Sequence, residues 1–168
     1  MDLRLATTSD LPQLKEMYEK IIDNMSKNNI CIWDEVYPYT VFSGDIENRC
    51  LYVLTENGKI ASAFTLYDFN AAEDYIQWKT THKKVFYMGR LGVNVDYLKR
   101  GVGKITLDLA ISIARESSAE YLRLFVAAIN KPALDFYMKN GFEKAEGIYY
   151  ETMNDGRNLP EFGFEMKI

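Results

Sequence analysis

Residues 121–128, YLRLFVAA, are almost continuously apolar, the pattern of a strand covered on both faces. Upstream, residues 85–95 read as a long strand weakened by Gly89 and Gly92, and glycine inside a strand often marks a bulge or a close backbone approach. Between them, residues 104–115 read as a helix that is apolar over much of its surface. A strand, a crossover helix and a second covered strand close as a parallel, right-handed unit. That unit needs layers on both sides, which makes the chain α/β.

The other elements read as antiparallel. Residues 3–6 form a short first strand. Thr7 and Asp10 have the spacing of a capping box, with Ser9 as the rival cap because Pro12 suits a first turn. Leu11, Leu14, Met17, Tyr18, Ile21 and Met25 follow at helical spacing, fading by residues 26–29. A second helix is expected near 40–48. Residues 51–55 and 60–67 are strands joined at Asn57-Gly58, a strong hairpin signal. Residues 68–83 read as a long loop. A helix over 132–139 stops at Asn140-Gly141, and residues 142–150 and 162–168 read as a last antiparallel pair turning near Asp155-Gly156. The expected fold is a mixed, mostly antiparallel sheet with a central parallel strand-helix-strand unit and helices on both faces, in one domain over residues 1–168.

Composition narrows the function. The chain has 168 residues, 48% hydrophobic and 26% charged, an ordinary globular balance. A net charge of −4 gives no electrostatic footprint for nucleic acid. No apolar run approaches membrane-spanning length. Cys31 and Cys50 make no disulfide framework, and Met1-Asp2-Leu3-Arg4 lacks the features of a signal peptide, so a cytoplasmic setting is expected. One histidine, His82, with two cysteines, leaves little for a His/Cys metal site or a His-based triad.

Leu98-Lys99-Arg100-Gly101-Val102-Gly103-Lys104 joins a strand to a helix. Its glycines permit close backbone approach, and the first N–H groups of the helix point there with the positive dipole end behind them. Lys99, Arg100 and Lys104 add charge, making a phosphate cradle. A dinucleotide fingerprint fails because Thr106 stands where the third glycine belongs, and a P-loop fails at Leu98 and Ile105. A glycine-rich turn with solvated lysines would look the same.

The segment Asn130-Lys131-Pro132-Ala133-Leu134-Asp135-Phe136-Tyr137-Met138-Lys139-Asn140-Gly141-Phe142 separates these readings. It resembles the second coenzyme motif of the GNAT superfamily of acyl-CoA-dependent N-acetyltransferases, N-x-x-A-x-x-F-Y-x-x-x-G-F, at every defined position. Leu91-Gly92-Val93-Asn94-Val95-Asp96-Tyr97 together with residues 98–103 resembles the first motif, L-x-V-x-P-x-Y-(R/Q)-x-x-G-x-G, with Val95 replacing the frequent proline and Leu98 the Arg or Gln. The opening residues and the order of elements match too, so the resemblance covers almost the whole chain.

The resemblance implies acetyl transfer from acetyl-CoA to an amine of a small molecule or peptide, without a metal. Residues 98–104 would hold the pyrophosphate. Leu91 and Val93, opened by a bulge at Gly89 or Gly92, would pair with the pantetheine arm, with an N–H near Val93 for the oxyanion. Tyr137 would protonate the leaving thiolate. A phenol near 10 facing a thiol near 8.5 is uphill by about 2 kcal/mol, which a positioned hydrogen bond offsets. Asn130 would cap its helix and touch the coenzyme. A dimer through the C-terminal strands would suit the fold.

For the acceptor, the resemblance points to residues 31–39, to the segment after the third strand, and to the last hairpin. Trp33, Glu35 and Tyr37, with Asp34, Tyr39, Tyr149, Tyr150 and Glu151, mix acids and aromatics that suit a cationic amine, although burial of the rings and solvation of the acids would explain them equally. Arg90 shares a face with Gly92 and could hold an acidic acceptor or pair with a carboxylate. For the base the candidates are Glu35, Asp34, Glu73, His82 or a water chain. The altered Leu98 position and the lack of an obvious base leave a second class open, an acyl-CoA-sensing or interaction module on the same fold. A nucleotide-binding module rests on the glycine turn alone.

Overall fold

The computed structural model describes residues 1–81 and 83–168. The fold is mixed α/β; the described residues form a mostly antiparallel sheet with one parallel strand pair, and four α-helices. The chain falls into two compact units: Met1–Leu66 with Met88–Ile113, and Tyr67–Tyr87 with Ala114–Ile168.

In the first unit, β1 (Asp2–Leu5) leads into the Thr7/Asp10 capping box, and Asp10 accepts from the Thr7 N–H at 2.8 Å. A 3-10 turn at Thr8–Asp10 delivers the chain to α1 (Leu11–Lys27), with Pro12 in its first turn. The next helix, α2, spans Tyr39–Glu47. β2 (Leu51–Glu56) and β3 (Lys59–Tyr67) pair antiparallel. Asn57 and Gly58, at φ 51° and 77°, give the two left-handed residues that a type I′ hairpin needs. β1 pairs antiparallel with β2, and β5 (Val85–Val93) neighbours β3. Leu51, Val53 and Ala63 are buried with Leu14, Met17, Tyr18 and Ile21 of α1 and Phe42 of α2. Leu54 and Ala61 are buried with Val102, the first residue of α3 (Val102–Glu116). The sheet of this unit thus has a helix layer on each face.

In the second unit, β5 pairs parallel with β6 (Tyr121–Ala127), Val85 opposite Tyr121 and Tyr87 opposite Arg123, as the apolar pattern of residues 121–128 requires. β6 pairs antiparallel with β10 (Asn158–Lys167). Between them lies α4 (Lys131–Lys139), ended by Gly141 at φ 90°.

Two expectations need correction here. The 68–83 loop contains a 3-10 turn at Glu73–Tyr75 and a two-residue strand, β4 (Ile76–Gln77). The strand expected over 142–150 is broken into β7 (Glu143–Lys144), β8 (Glu146–Gly147) and β9 (Tyr149–Thr152). β8 pairs with β4, whereas β7 and β9 pair with β10. Gly147, at φ 103°, permits the switch, since a Cβ there would lie 2.6 Å from the Tyr75 carbonyl oxygen. No helix among the described residues is long and apolar enough to cross a membrane.

Candidate functional site

The end of β5 is pinned by Asn94. Its N–H donates to the Ala61 carbonyl at 2.9 Å, its side-chain amide to Ile60 O at 2.9 Å, and its side-chain oxygen accepts from Asp96 N–H at 3.1 Å. A 3-10 turn at Val95–Tyr97 follows, with Tyr97 buried. Lys99 and Gly101, at φ 60° and 79°, swing the chain into α3. A Cβ at Gly101 would meet nothing within 4 Å, so glycine is needed there for its backbone angle. The first turn of α3 presents the N–H groups of Val102, Gly103 and Lys104, which have no intrahelical acceptor. Two of the nearby cations have partners. The Arg100 guanidinium lies 4.7 Å from the Tyr97 ring centre and reaches Glu56 at 3.2 Å, and Lys104 pairs with Asp108. These are exposed pairs, which exchange readily. Leu98 is exposed. Thr106 is buried, donating to Val102 O at 2.8 Å and lying 2.6 Å from Ser62 Oγ.

Upstream, the expected irregularity at Gly89 or Gly92 falls on Arg90, at φ 50°. The Tyr18 hydroxyl donates to Arg90 O at 2.5 Å. Gly92 lies under the same ring, where a Cβ would stand 2.9 Å from Tyr18 Cζ. Arg90 and Gly92 therefore share the face toward α1 and α2. The Arg90 guanidinium pairs with Asp45 at 2.7 Å and donates to the Tyr37 hydroxyl at 3.2 Å. Burial pushes the Asp45 carboxyl up and Arg90 draws it partly back. Leu91 and Val93 are half-buried, Val93 against the cluster of Leu54, Ala61, Tyr97 and Val102.

The acceptor candidates of this unit divide. Trp33 packs on Tyr18, ring centres 5.3 Å apart, and Tyr37 meets Arg90. Asp34 accepts the Val36 and Tyr37 N–H groups, each at 2.8 Å, so it shapes a turn. Exposed Glu35 lines a cavity of about 340 Å³ with Lys15, Glu19, Ile22, Asp23 and Tyr39.

In the second unit, Asn130 caps α4, accepting from the Ala133 N–H at 3.3 Å. Tyr137 is buried between Phe136 and Phe142, at ring distances of 5.2 and 5.5 Å. Burial alone pushes its hydroxyl well above the usual phenol value.

The other face of β6 holds groups that the sequence reading missed. Arg123, 2% exposed, pairs with Glu73 at 2.8 Å and Glu165 at 3.4 Å, donates to Tyr87 Oη at 3.1 Å and Thr80 O at 2.5 Å, and lies 4.3 Å from the Trp78 ring centre. Glu73 is thus committed as a counter-ion. Glu161 on β10 lies opposite Ala127 and Tyr149. It is half-buried, and burial, with repulsion from Glu151, raises its carboxyl to about 7. A signal was available in the acids at alternate positions 161 and 165, but the expected strand began at 162. His82 lies outside the described residues.

The model of the acetyltransferase (GNAT) family matches residues 14–142. YwnH of Bacillus subtilis strain 168, provisionally named a phosphinothricin acetyltransferase, is 29% identical over 149 residues, covering 84% of this chain and 83% of its own. A crystal structure of a provisionally named acetyltransferase from Staphylococcus aureus Mu50 superposes with a TM-score of 0.75 at 25% identity, covering 99% of both chains. A GNAT-family acetyltransferase structure from Streptococcus agalactiae shares the fold with a TM-score of 0.83 at 18% identity, covering 99% of this chain and 95% of its own. With the family model spanning most of its length, the chain belongs to the acetyltransferase (GNAT) family.

Proposed function

We propose that this chain is an acetyl-CoA-dependent N-acetyltransferase of a primary amine, acting as one cytoplasmic domain over residues 1–168. The observation that carries the reading is the left-handed turn at Gly101, opening α3 with the Val102, Gly103 and Lys104 N–H groups free at its positive end. That cradle fits a pyrophosphate, with Leu98, Lys99, Arg100 and Lys104 around it. Leu91 and Val93, on the strand just before it, offer backbone groups for the pantetheine amides, Gly92 lets the strand pack beneath Tyr18, and the Val93 N–H serves the oxyanion.

Acetyl-CoA supplies a thioester whose carbonyl carbon takes the amine nitrogen, after which the C–S bond breaks. Tyr137 gives its proton to the departing sulfur. Its raised value makes that transfer harder than for an ordinary phenol, so the proton must pass along a short hydrogen bond formed as charge builds on sulfur. Asn130 holds the start of the helix that carries Tyr137.

Calorimetric titration with acetyl-CoA tests the reading, with adenosine 3′,5′-bisphosphate and NADH as controls. Selective binding of acetyl-CoA, followed by acetylation of at least one member of a primary-amine panel that includes phosphinothricin, supports it. Failure to bind at millimolar coenzyme would withdraw it in favour of an interaction module.

A further inference from the structure

Five carboxylates compete for the role of base, and their surroundings separate them. Asp34 is bonded to two backbone N–H groups of its own turn. Glu73 and Glu165 are engaged with Arg123. Glu35 is exposed, in a cavity that it shares with Lys15, Glu19 and Asp23. Glu161 differs from all four. It is half-buried, and no cation or hydrogen-bond donor among the described residues reaches it.

Its position is set by pairing on both sides. On β10, Glu161 lies opposite Ala127, the last residue of β6, and opposite Tyr149 of β9. Residues directly opposite in a sheet project from the same face. The β6 end opens into the turn before Asn130 and α4, and the carboxyl ends of parallel strands are where α/β sheets bind ligands. The rings around Glu161 form a wall. Phe125 and Tyr149 have centres 6.0 Å apart, and Tyr149 and Tyr75 5.2 Å apart. Two residues along the same face, Gly163 leaves no room for a side chain, since a Cβ would stand 2.8 Å from Ile76 and 2.9 Å from Trp78. That side is closed by apolar atoms. Among the described residues, the titratable groups facing Glu161 are Glu151 and Tyr149 of β9, with Tyr75 behind Tyr149. Further along the face, Arg123 and Glu165 neutralise each other.

We propose that Glu161 is the base that takes a proton from the attacking ammonium group, and that the acceptor is a cationic primary amine held against Phe125, Tyr149 and Tyr75. This assignment rests on the acetyl-transfer reading above. An ammonium ion among ring faces and one unpaired carboxylate gains both cation–π contact and charge neutralisation. The carboxyl value of about 7 suits a base at neutral pH. The protons balance. The ammonium passes one proton to the Glu161 carboxylate, which releases it to solvent, and the neutral nitrogen forms the C–N bond. Tyr137 protonates the sulfur as the C–S bond breaks, and the second nitrogen proton restores Tyr137.

The test compares wild type with Glu161→Gln and Glu161→Asp, using acetyl-CoA and the same amine panel, over pH 5.5–10. The wild-type kcat/KM is expected to rise through pH 7 to a plateau that ends at the amine's own pKa. In Glu161→Gln the step at 7 disappears, the rate at pH 7 drops about 10²–10⁴-fold, and the remainder climbs with the free-amine fraction. Glu161→Asp restores part of the step, and acetyl-CoA binds all three proteins alike. A Gln variant within about threefold of wild type at pH 7, with acetyl-CoA bound and amines turned over, overturns the base assignment and leaves the acetyltransferase reading standing. Loss of coenzyme binding or of all turnover in wild type fails that reading instead and takes the base with it. The ¹³C-carboxyl resonance of Glu161, assigned by its absence in Glu161→Gln, decides without any substrate: a midpoint near 7 supports the role, and one near the ordinary 4.5 overturns it.

Discussion

The hydroxyl of Tyr18 on α1 donates a 2.5 Å hydrogen bond to the carbonyl of Arg90, the residue of β5 with a left-handed backbone. Left-handed geometry costs an ordinary residue about 1–2 kcal/mol, and here three contacts oppose that cost. Tyr18 holds the carbonyl, Asp45 and Tyr37 hold the guanidinium, and Gly92 lets the Tyr18 ring lie against the strand. The strand segment proposed to meet the pantetheine arm is therefore positioned by α1 and α2.

Gly92→Ala should be costly. The added methyl would meet the Tyr18 ring at 2.9 Å, and that ring is wedged between Trp33 at 5.3 Å and Phe42 at 5.0 Å. Overpacking of this kind costs about 1–3 kcal/mol. Urea unfolding should show the loss, and Tyr18→Phe, which removes only the hydroxyl, should lose about 1 kcal/mol. A Gly92→Ala protein as stable as wild type would mean that the ring is free to move.

The Arg90–Asp45 pair gives a second prediction. Both side chains are nearly buried, at 13% and 12% exposure, so Asp45→Ala strands a guanidinium, and breaking such a pair costs about 3 kcal/mol. Asp45→Ala combined with Arg90→Met should cost clearly less than the sum of the two single changes, because no charge is left stranded. Additive losses in a double-mutant cycle would show that the pair contributes nothing beyond its separate packing.

The turn before α3 should separate stability from binding. Lys104→Ala breaks only an exposed pair and should change unfolding free energy by no more than about 0.5 kcal/mol, whereas Arg100→Ala also gives up its contact with the Tyr97 ring and should cost about 1 kcal/mol. Each should nonetheless weaken acetyl-CoA binding, more at low salt than at high. Gly101→Ala should do the reverse in part, with about 1–2 kcal/mol of backbone strain and no steric clash. Calorimetric titration beside urea unfolding reads both quantities.

The elements legible in the sequence were those that residues near one another specify. The Thr7/Asp10 cap, α1, the Asn57-Gly58 hairpin and the Gly141 stop each depend on chemistry within a few residues. Residues 121–128 betrayed a covered strand because two-sided burial leaves a continuous apolar run. What stayed hidden depends on pairing across the chain. β4 and β8 are two residues each, too short to show a period, and exist only because each finds the other. Arg123 carries no local sign of its role, because Glu73, Glu165 and Trp78 come from elsewhere in the chain to neutralise and cover it. The left-handed residue of β5 was sought at glycine, where it is cheapest, yet it sits on Arg90 because side-chain contacts from two helices hold it there. The acids at 161 and 165 shared a strand face in the sequence, but only the register, with Glu161 opposite Ala127 and Tyr149, shows what Glu161 faces.

The Arg4–Asp10 pair ties acid stability to the start of the fold. Two bonds of 2.7 Å join the guanidinium to both carboxylate oxygens, and Thr7 donates to the carboxylate through its N–H and hydroxyl at 2.8 and 3.0 Å. The Arg4 hydrogen bonds, chiefly, pull the Asp10 carboxyl from 3.8 to about 2, although burial opposes them. A carboxylate held below its unfolded value binds fewer protons in the folded chain, so its contribution is complete above pH 4 and is lost as pH falls from about 4 to 2. The size is about 1–2 kcal/mol, kept low because the Arg4 side chain is 46% exposed and its attraction is screened by water. Unfolding free energies of wild type and Asp10→Asn should therefore differ by that amount at pH 6 and converge toward pH 2. A gap that stays constant across the window would mean that Asp10 acts through the shape of the capping box, which asparagine distorts, and not through its charge.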